Sequence, residues 1–319
     1  MFSVFISSIR SIEILKHEEL AFLNYMRESG NIFTGDEYHF RLGVYLTNKR
    51  YVQQHNAAGK TFKLGMGPLS HLTHSEYSAL LSRSFHSSDE TQLLTLKNVN
   101  PPEEWDWRDK GVVTPICNQG ACAASWAFGT IAAEESQWAI QMEQLFVLSS
   151  QCLVDCVQLS FGCGGGWPSG TYKSIMKQFN GTFILDSDYP YAAKKGACKF
   201  NSMPKAAPIM TTYGTTTKYN ETALALAVSL VGVATVSVDA SRTSFQLYQS
   251  GIYYEPDCST ETMDLSAACV GYGTEGTTNY WIVKNCFGDK WGEKGYIRMI
   301  KDKGNNCAIA TDVHIPQVK

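Results

Sequence analysis

The ten cysteines of this 319-residue chain are placed unevenly: none precedes Cys117, nine lie between Cys117 and Cys286, and the tenth is Cys307. Such a distribution predicts a disulfide-bearing domain behind a cysteine-free leader, and so a passage through an oxidising compartment. Two acceptor sequons, Asn180-Gly-Thr182 and Asn220-Glu-Thr222, are usable only on that secretory route. Met1 to Ile9 form an apolar stretch that Arg10 interrupts, without a clear small-residue cleavage site. It reads equally as a short signal sequence over residues 1–16 or as an ordinary helix start.

Composition narrows the functional classes. The chain is 44% hydrophobic and 18% charged, a globular balance, and its length allows two or three units that each bury a core. A formal net charge of −3 gives no reason to expect nucleic acid or an anionic membrane as partner. The one Lys-Lys pair, Lys194 and Lys195, reads as a solvated loop. No apolar run approaches the roughly 18 residues that a membrane span needs.

Residues 17–57 read as helical. Glu18 and Glu19 precede the apolar run from Leu20 to Met26, and Gly30 with Asn31 ends it. A second helix opens after Gly35, where Glu37, Arg41, Tyr45, Asn48, Val52 and Asn56 recur at steps of three and four and share one face. Spacing alone favours a charged amphipathic helix there. An extended stretch from Phe62 to Met66 follows, then a third helix near Thr73 and Glu76. Residues 84–98, with Ser84, Ser87, Ser88 and Asp89, read as an exposed linker. Beyond Pro101-Pro102, a helical run from Ser125 to Met142 gives way after Val231 to strand-like segments, among them Asn279 to Lys284 and Gly295 to Ile300. The order argues an α+β protein of two packed subdomains with a cleft between them.

Three segments carry a resemblance. Asp106-Trp-Arg-Asp-Lys-Gly-Val-Val-Thr-Pro, Cys117-Asn-Gln-Gly-Ala-Cys-Ala-Ala-Ser-Trp-Ala-Phe and Tyr280-Trp-Ile-Val-Lys-Asn-Cys-Phe-Gly-Asp-Lys-Trp-Gly-Glu-Lys-Gly-Tyr-Ile-Arg stand in the order found in papain-type cysteine peptidases of the cathepsin L-like branch. The six-residue face from Glu37 to Asn56 resembles the pro-segment signature of the same family. The resemblance runs from about residue 18 to the end of the chain. It implies a papain-like fold with a helical left half and a β-rich right half, behind a helical pro-segment. The division it implies is 1–16 as leader, 17–99 as pro-segment and 100–319 as peptidase-like domain. It further implies the disulfides Cys122 with Cys163, Cys156 with Cys198, and Cys258 with Cys307. Cys117, Cys152, Cys269 and Cys286 remain, and a fourth bridge between Cys117 and Cys152 is left open.

The chemistry of that family needs a thiolate nucleophile, an imidazole to activate it and donors for the oxyanion. A helix amino terminus and an imidazolium together depress a thiol's pKa. At the nucleophile position this chain has Ser125, which would need a general base within hydrogen-bond reach. At the histidine position, in Met263-Asp-Leu-Ser-Ala-Ala-Cys-Val-Gly-Tyr-Gly, it has Leu265. Six of its seven histidines precede residue 100, and the seventh, His314, reads as a surface residue. The supporting positions persist: Gln119 matches the oxyanion glutamine and Asn285 the asparagine that orients the imidazole, while Phe287 replaces its shielding tryptophan. Gly165, Gly166, Trp167, Pro168 and Asp264 match cleft residues, although the glycines serve a turn equally well. The second pro-segment motif retains only Gly65, with Gly67, Leu69 and His71 departing from it, which puts acid-triggered release in doubt.

The expectation is therefore a papain-fold pseudopeptidase that holds peptides, protein ligands or its own pro-segment in the cleft. No cofactor and no metal is implied. It would be a monomer in an extracellular or lysosome-like compartment. A weak hydrolase or acyl transferase using Ser125 or Cys286, and a secreted structural or antigenic module, stand as alternatives.

Overall fold

The computed structural model describes residues 16–82, 92–97, 99–206 and 210–318. The leader expectation, Lys16 apart, and the linker residues 84–91 and 98 lie outside the described residues.

Helices α1 (Lys16–Ser29) and α2 (Gly35–Ala57) cross around a small aromatic core. Phe22 and Tyr25 of α1 meet Tyr45 of α2 with ring centroids 5.2 and 5.0 Å apart. The six-residue face of α2 is not the solvated stripe that its spacing favours. Tyr45, Asn48 and Val52 are buried, and the polar members grip the chain that returns along the helix. Asn48 Nδ2 donates to the carbonyls of Ser70 and Leu72 at 2.9 and 3.2 Å. The Asn56 amide makes two bonds to the backbone of Leu64: Nδ2 donates to its carbonyl at 2.9 Å and Oδ1 accepts from its N–H at 3.0 Å. That fixes β1 (Phe62–Leu64) against the helix. Arg41 pairs with Glu37 at 3.5 Å and with Glu76 at 2.7 Å. Glu76 also completes the capping box with Thr73 that starts α3 (His74–Ser78).

The rest of the chain places β2 (Trp105–Asp106) before three helices, α4 (Ser125–Met142), α5 (Ser150–Cys156) and α6 (Pro168–Gln178). Then come β3 (Met210–Thr215), α7 (Glu221–Leu230), β4 (Ala234–Val238), α8 (Thr243–Gln246), β5 (Tyr248–Tyr253), β6 (Leu265–Glu275), β7 (Thr278–Lys284), β8 (Tyr296–Ile300) and β9 (Val313–Val318). The strands form a sheet in the order β1-β5-β8-β7-β6-β4-β9-β3, with β2 pairing with β6. Only β5 and β8 run parallel among these pairs. The amino-terminal helical unit thus joins the body through β1, which adds to the sheet edge at β5.

Helix α4 is the central partition. On one side Trp126 packs with Leu153, Tyr172 and Ile175 in the helical half. On the other, Ala132 and Ala133 meet Ala268, Val270 and Ile282 of the sheet. At Gly129 a Cβ would stand 3.1 Å from the Ala267 N, so only glycine lets the helix lie this close to β6. An α+β fold with a helical half, a strand-rich half and a helical pro-segment is what the sequence led us to expect.

One expectation changes, and one open alternative is resolved. Residues 92–97 do not form an exposed linker. Leu94 N donates to Thr215 O and Thr215 N to Gln92 O, at 2.9 and 3.0 Å, so the segment is bridged at Leu93 to Thr215 at the end of β3. Leu94 and Leu96 face the core in alternation with exposed neighbours, a period of two hidden by the polar composition around it. The disulfides are Cys122–Cys163, Cys156–Cys198 and Cys258–Cys307, and Cys117 and Cys152 stay free rather than forming a fourth bridge.

Candidate functional site

Ser125 is the first residue of α4 and is fully buried. Its Oγ accepts the Ser266 N–H at 3.3 Å and lies 3.5 Å from Ser82 Oγ. Neither neighbour is a base. Leu265 opens β6 beside Ser266 and sits in the hydrophobic core together with Phe287. The ring of Phe287 stacks edge-on against Tyr77 of α3 and Trp291, at 6.2 and 5.6 Å.

The polar positions around Ser125 are held firmly. Gln119 Oε1 accepts the Cys286 thiol at 3.1 Å, which aims Nε2 outward, and Nε2 donates to Leu80 O at 2.7 Å. Asn285 is buried, with its Oδ1 accepting from Cys286 N at 2.8 Å. Its Nδ2 has no hydrogen-bond partner. The Asn285 amide oxygen is thus turned to the backbone of the next residue. Asp264 O accepts the Ser82 N–H at 2.7 Å, while its side chain accepts from Ala240 N at 2.8 Å. Burial pushes the Asp264 carboxyl up to about 7.

Residues 80–82 therefore lie in the cleft as a peptide, gripped at a carbonyl by Gln119 and at an N–H by Asp264. Gly166, Trp167, Asp264, Leu265 and Ser266 line one small cavity beside Ser82. Gly165 and Pro168 are not in that lining. Gly165, at φ 106°, shapes the turn, and Pro168 starts α6. A larger cavity, about 240 Å³, lies behind the loop that carries Cys117 and excludes Ser125.

The likeness of the whole chain to known proteins can now be stated. The papain family cysteine protease profile matches residues 101–317, and that of the cathepsin propeptide inhibitor domain matches residues 22–77. Digestive cysteine proteinase 1 of Homarus americanus is 37% identical, over 89% of this chain and 89% of its own length. Procathepsin L of Mus musculus is 36% identical, over 90% and 88%. Among solved structures, a recombinant stem bromelain precursor superposes with a TM-score of 0.86 at 33% identity, covering 95% of this chain and 99% of its own. Digestive procathepsin L 3 from the larval midgut of Tenebrio molitor gives 0.87 at 27%, covering 94% and 99%. The chain belongs to the papain family. It carries the family's propeptide as well as its protease domain.

Within this papain-family chain, neither remaining thiol near the site stands ready as a nucleophile. Burial drives the Cys286 thiol well above its ordinary pKa, and Cys117 is pushed up to about 11 by burial too. His314, expected at the surface, is buried on β9 between β4 and β3. Its Nε2 bonds Asp312 Oδ1 at 2.8 Å and its ring lies beside Tyr172 and Tyr213, so it is committed there and not to Ser125. Sequence reading missed Leu80 and Ser82 as occupants of the cleft, and Ser237 and Asp312 in its lining. None of the four belongs to a motif: hydrogen bonds to Gln119 and Asp264 bring Leu80 and Ser82 to the site, and the pairing of β4 with β9 brings Ser237 and Asp312.

Proposed function

We propose that this papain-family chain is a pseudopeptidase: its groove holds an extended peptide and does not cleave it. The observation that carries this reading is the pairing at Ser125. Its hydroxyl meets a backbone N–H and another hydroxyl, while the groove around it grips residues 80–82 by main-chain hydrogen bonds. A serine at a helix end without a general base is a poor nucleophile, and losing one member of a triad already costs on the order of a million-fold in turnover.

The same reading divides the chain into a leader at 1–16, a pro-segment at 17–99 and a groove-bearing domain at 100–319. It places the protein on the secretory route, extracellular or in a lysosome-like compartment, as a monomer. Three disulfides support that route, as do the exposed Asn180 and Asn220 of the two sequons. Among the described residues no helix is long and apolar enough to cross a membrane.

The test uses the full chain carrying Ser82→Pro, which removes the N–H bonded to Asp264 O and unseats the pro-segment from the groove. Fluorogenic peptides should show no turnover above the level of a Ser125→Ala control, while fluorescence anisotropy shows that they bind. Turnover that disappears with Ser125→Ala would overturn the reading.

A further inference from the structure

The cavity of about 240 Å³ behind the Cys117 loop shares no lining residue with the small cavity beside Ser82. Ile116, Phe128, Ile131, Val147 and Tyr191 give it largely apolar walls. A dry cavity of roughly 150 Å³ already takes up a benzene ring, so this one has room for a ring with a short side chain. Phe128 and Tyr191 stand edge-on with centroids 4.7 Å apart, and a third ring can join them in the same manner. Hydrogen bonds between separate segments keep the walls from closing. Glu135 of α4 accepts from Leu148 N at 2.8 Å, Asp186 N donates to Val147 O at 2.9 Å, and Tyr191 Oη donates to Gln119 O at 2.8 Å.

Besides Tyr191, the titratable groups of the lining are Cys117, Glu135, Asp186 and Lys284. Lys284 and Glu135 meet on Thr114. Lys284 Nζ donates to the Thr114 carbonyl and hydroxyl at 2.9 and 2.8 Å, and that hydroxyl donates to Glu135 Oε2 at 2.5 Å. Their charges offset one another there. The Cys117 thiol, pushed up to about 11 by burial, stays neutral. Asp186 is left uncompensated. It is half-buried, burial raises its pKa, and the backbone N–H of Tyr191 lowers it while no cation among the described residues does. A carboxylate partly stripped of water beside apolar walls is best completed by a cation whose remainder is apolar.

We propose that this cavity is a binding site for a small aromatic amine, its ring among Phe128, Ile131 and Val147 and its ammonium on Asp186. The test is isothermal titration of the full chain with phenethylamine, with its uncharged counterpart 2-phenylethanol and with the anion phenylacetate. It is run at pH 8, above the Glu135 value of about 7, so that both carboxylates of the lining are ionised. Phenethylamine should bind about tenfold more tightly than the alcohol, and phenylacetate more weakly than either. Asp186→Asn keeps the main-chain bond to Val147 and should bring the amine down to the level of the alcohol. Val147, exposed where it lines the cavity, marks the mouth, and Val147→Trp should weaken the amine and the alcohol alike. Absence of phenethylamine binding, or an amine preference that survives Asp186→Asn, would overturn the assignment. Tighter binding of phenylacetate would overturn it too, by giving the charge selection to Lys284. Affinities untouched by Val147→Trp would place the ligands elsewhere and overturn the site.

Discussion

Glu134 and Glu135 are neighbours on α4, both buried, and their surroundings treat them differently. Glu135 accepts from Leu148 N at 2.8 Å and from Thr114 Oγ1 at 2.5 Å, and Lys284 Nζ donates to that same Thr114 hydroxyl at 2.8 Å. Burial raises its pKa and Lys284 pulls it back, leaving it at about 7. Glu134 has no such help. Its Oε2 has no hydrogen-bond partner, and burial alone lifts the carboxyl from 4.5 to about 8. Because the folded pKa is the higher one, folding binds a proton at neutral pH. The contribution is fully favourable below about 4.5, declines by about 1.4 kcal/mol per pH unit above it, and is lost once pH passes about 8. Glu134→Gln removes that slope. The variant should gain little over the parent at pH 5 and on the order of 2–4 kcal/mol at pH 8. Urea unfolding at the two pH values measures the difference, and an equal gain at both would refute the account.

At the scale of elements, α2 is a clamp more than a surface helix. The two bonds from Asn56 to Leu64 hold β1 at the place where the pro-segment enters the sheet, and β1 in turn pairs with Gly251 and Ser250 of β5. Asn56→Ala leaves both backbone groups of Leu64 without that partner, a loss of about 1–3 kcal/mol. Amide exchange at the β1–β5 edge should quicken by tenfold or more, with the β4–β6 pairs unaffected. Unchanged exchange at Leu64 and Ile252 would sink the idea. The clamp was half legible in the sequence. Spacing put Glu37 through Asn56 on one face, but a polar face looks the same whether it meets water or a returning chain. The helix at Ser125 was legible too, since α4 has apolar residues at helical spacing all along it. His314 was not: five residues from the end, its burial depends on β9 slotting between β4 and β3, which no local pattern shows. The Ser237–Asp312 bond spans 75 residues and was invisible for the same reason.

For the whole molecule, on the proposed reading, the cover over Ser125 and the missing general base are two separate departures, which can be reversed separately. Residues 80–82 cover Ser125, which has no exposed surface, and on the proposed reading Leu265 stands where an imidazole would be needed. Ser125→Cys with Leu265→His restores the two groups on paper. In the full chain, however, the introduced thiol remains under Ser82, and Asn285 Oδ1 is still turned to Cys286 N. Alkylation of that thiol by iodoacetamide at pH 5.5, mapped by mass spectrometry apart from the four free cysteines, reads both conditions at once. An imidazolium beside a thiol at a helix end lowers its pKa by several units, so only a formed pair reacts fast in acid. The double variant should react slowly, and adding Ser82→Pro should raise the rate by about tenfold or more. Ser125→Cys with Ser82→Pro but without Leu265→His should stay slow at pH 5.5, because the helix end alone leaves most of the thiol protonated. If Ser82→Pro changes nothing in the double variant, residues 80–82 are not the cover. If Leu265→His changes nothing in the unlatched chain, the scaffold around Leu265 no longer places an imidazole against the start of α4.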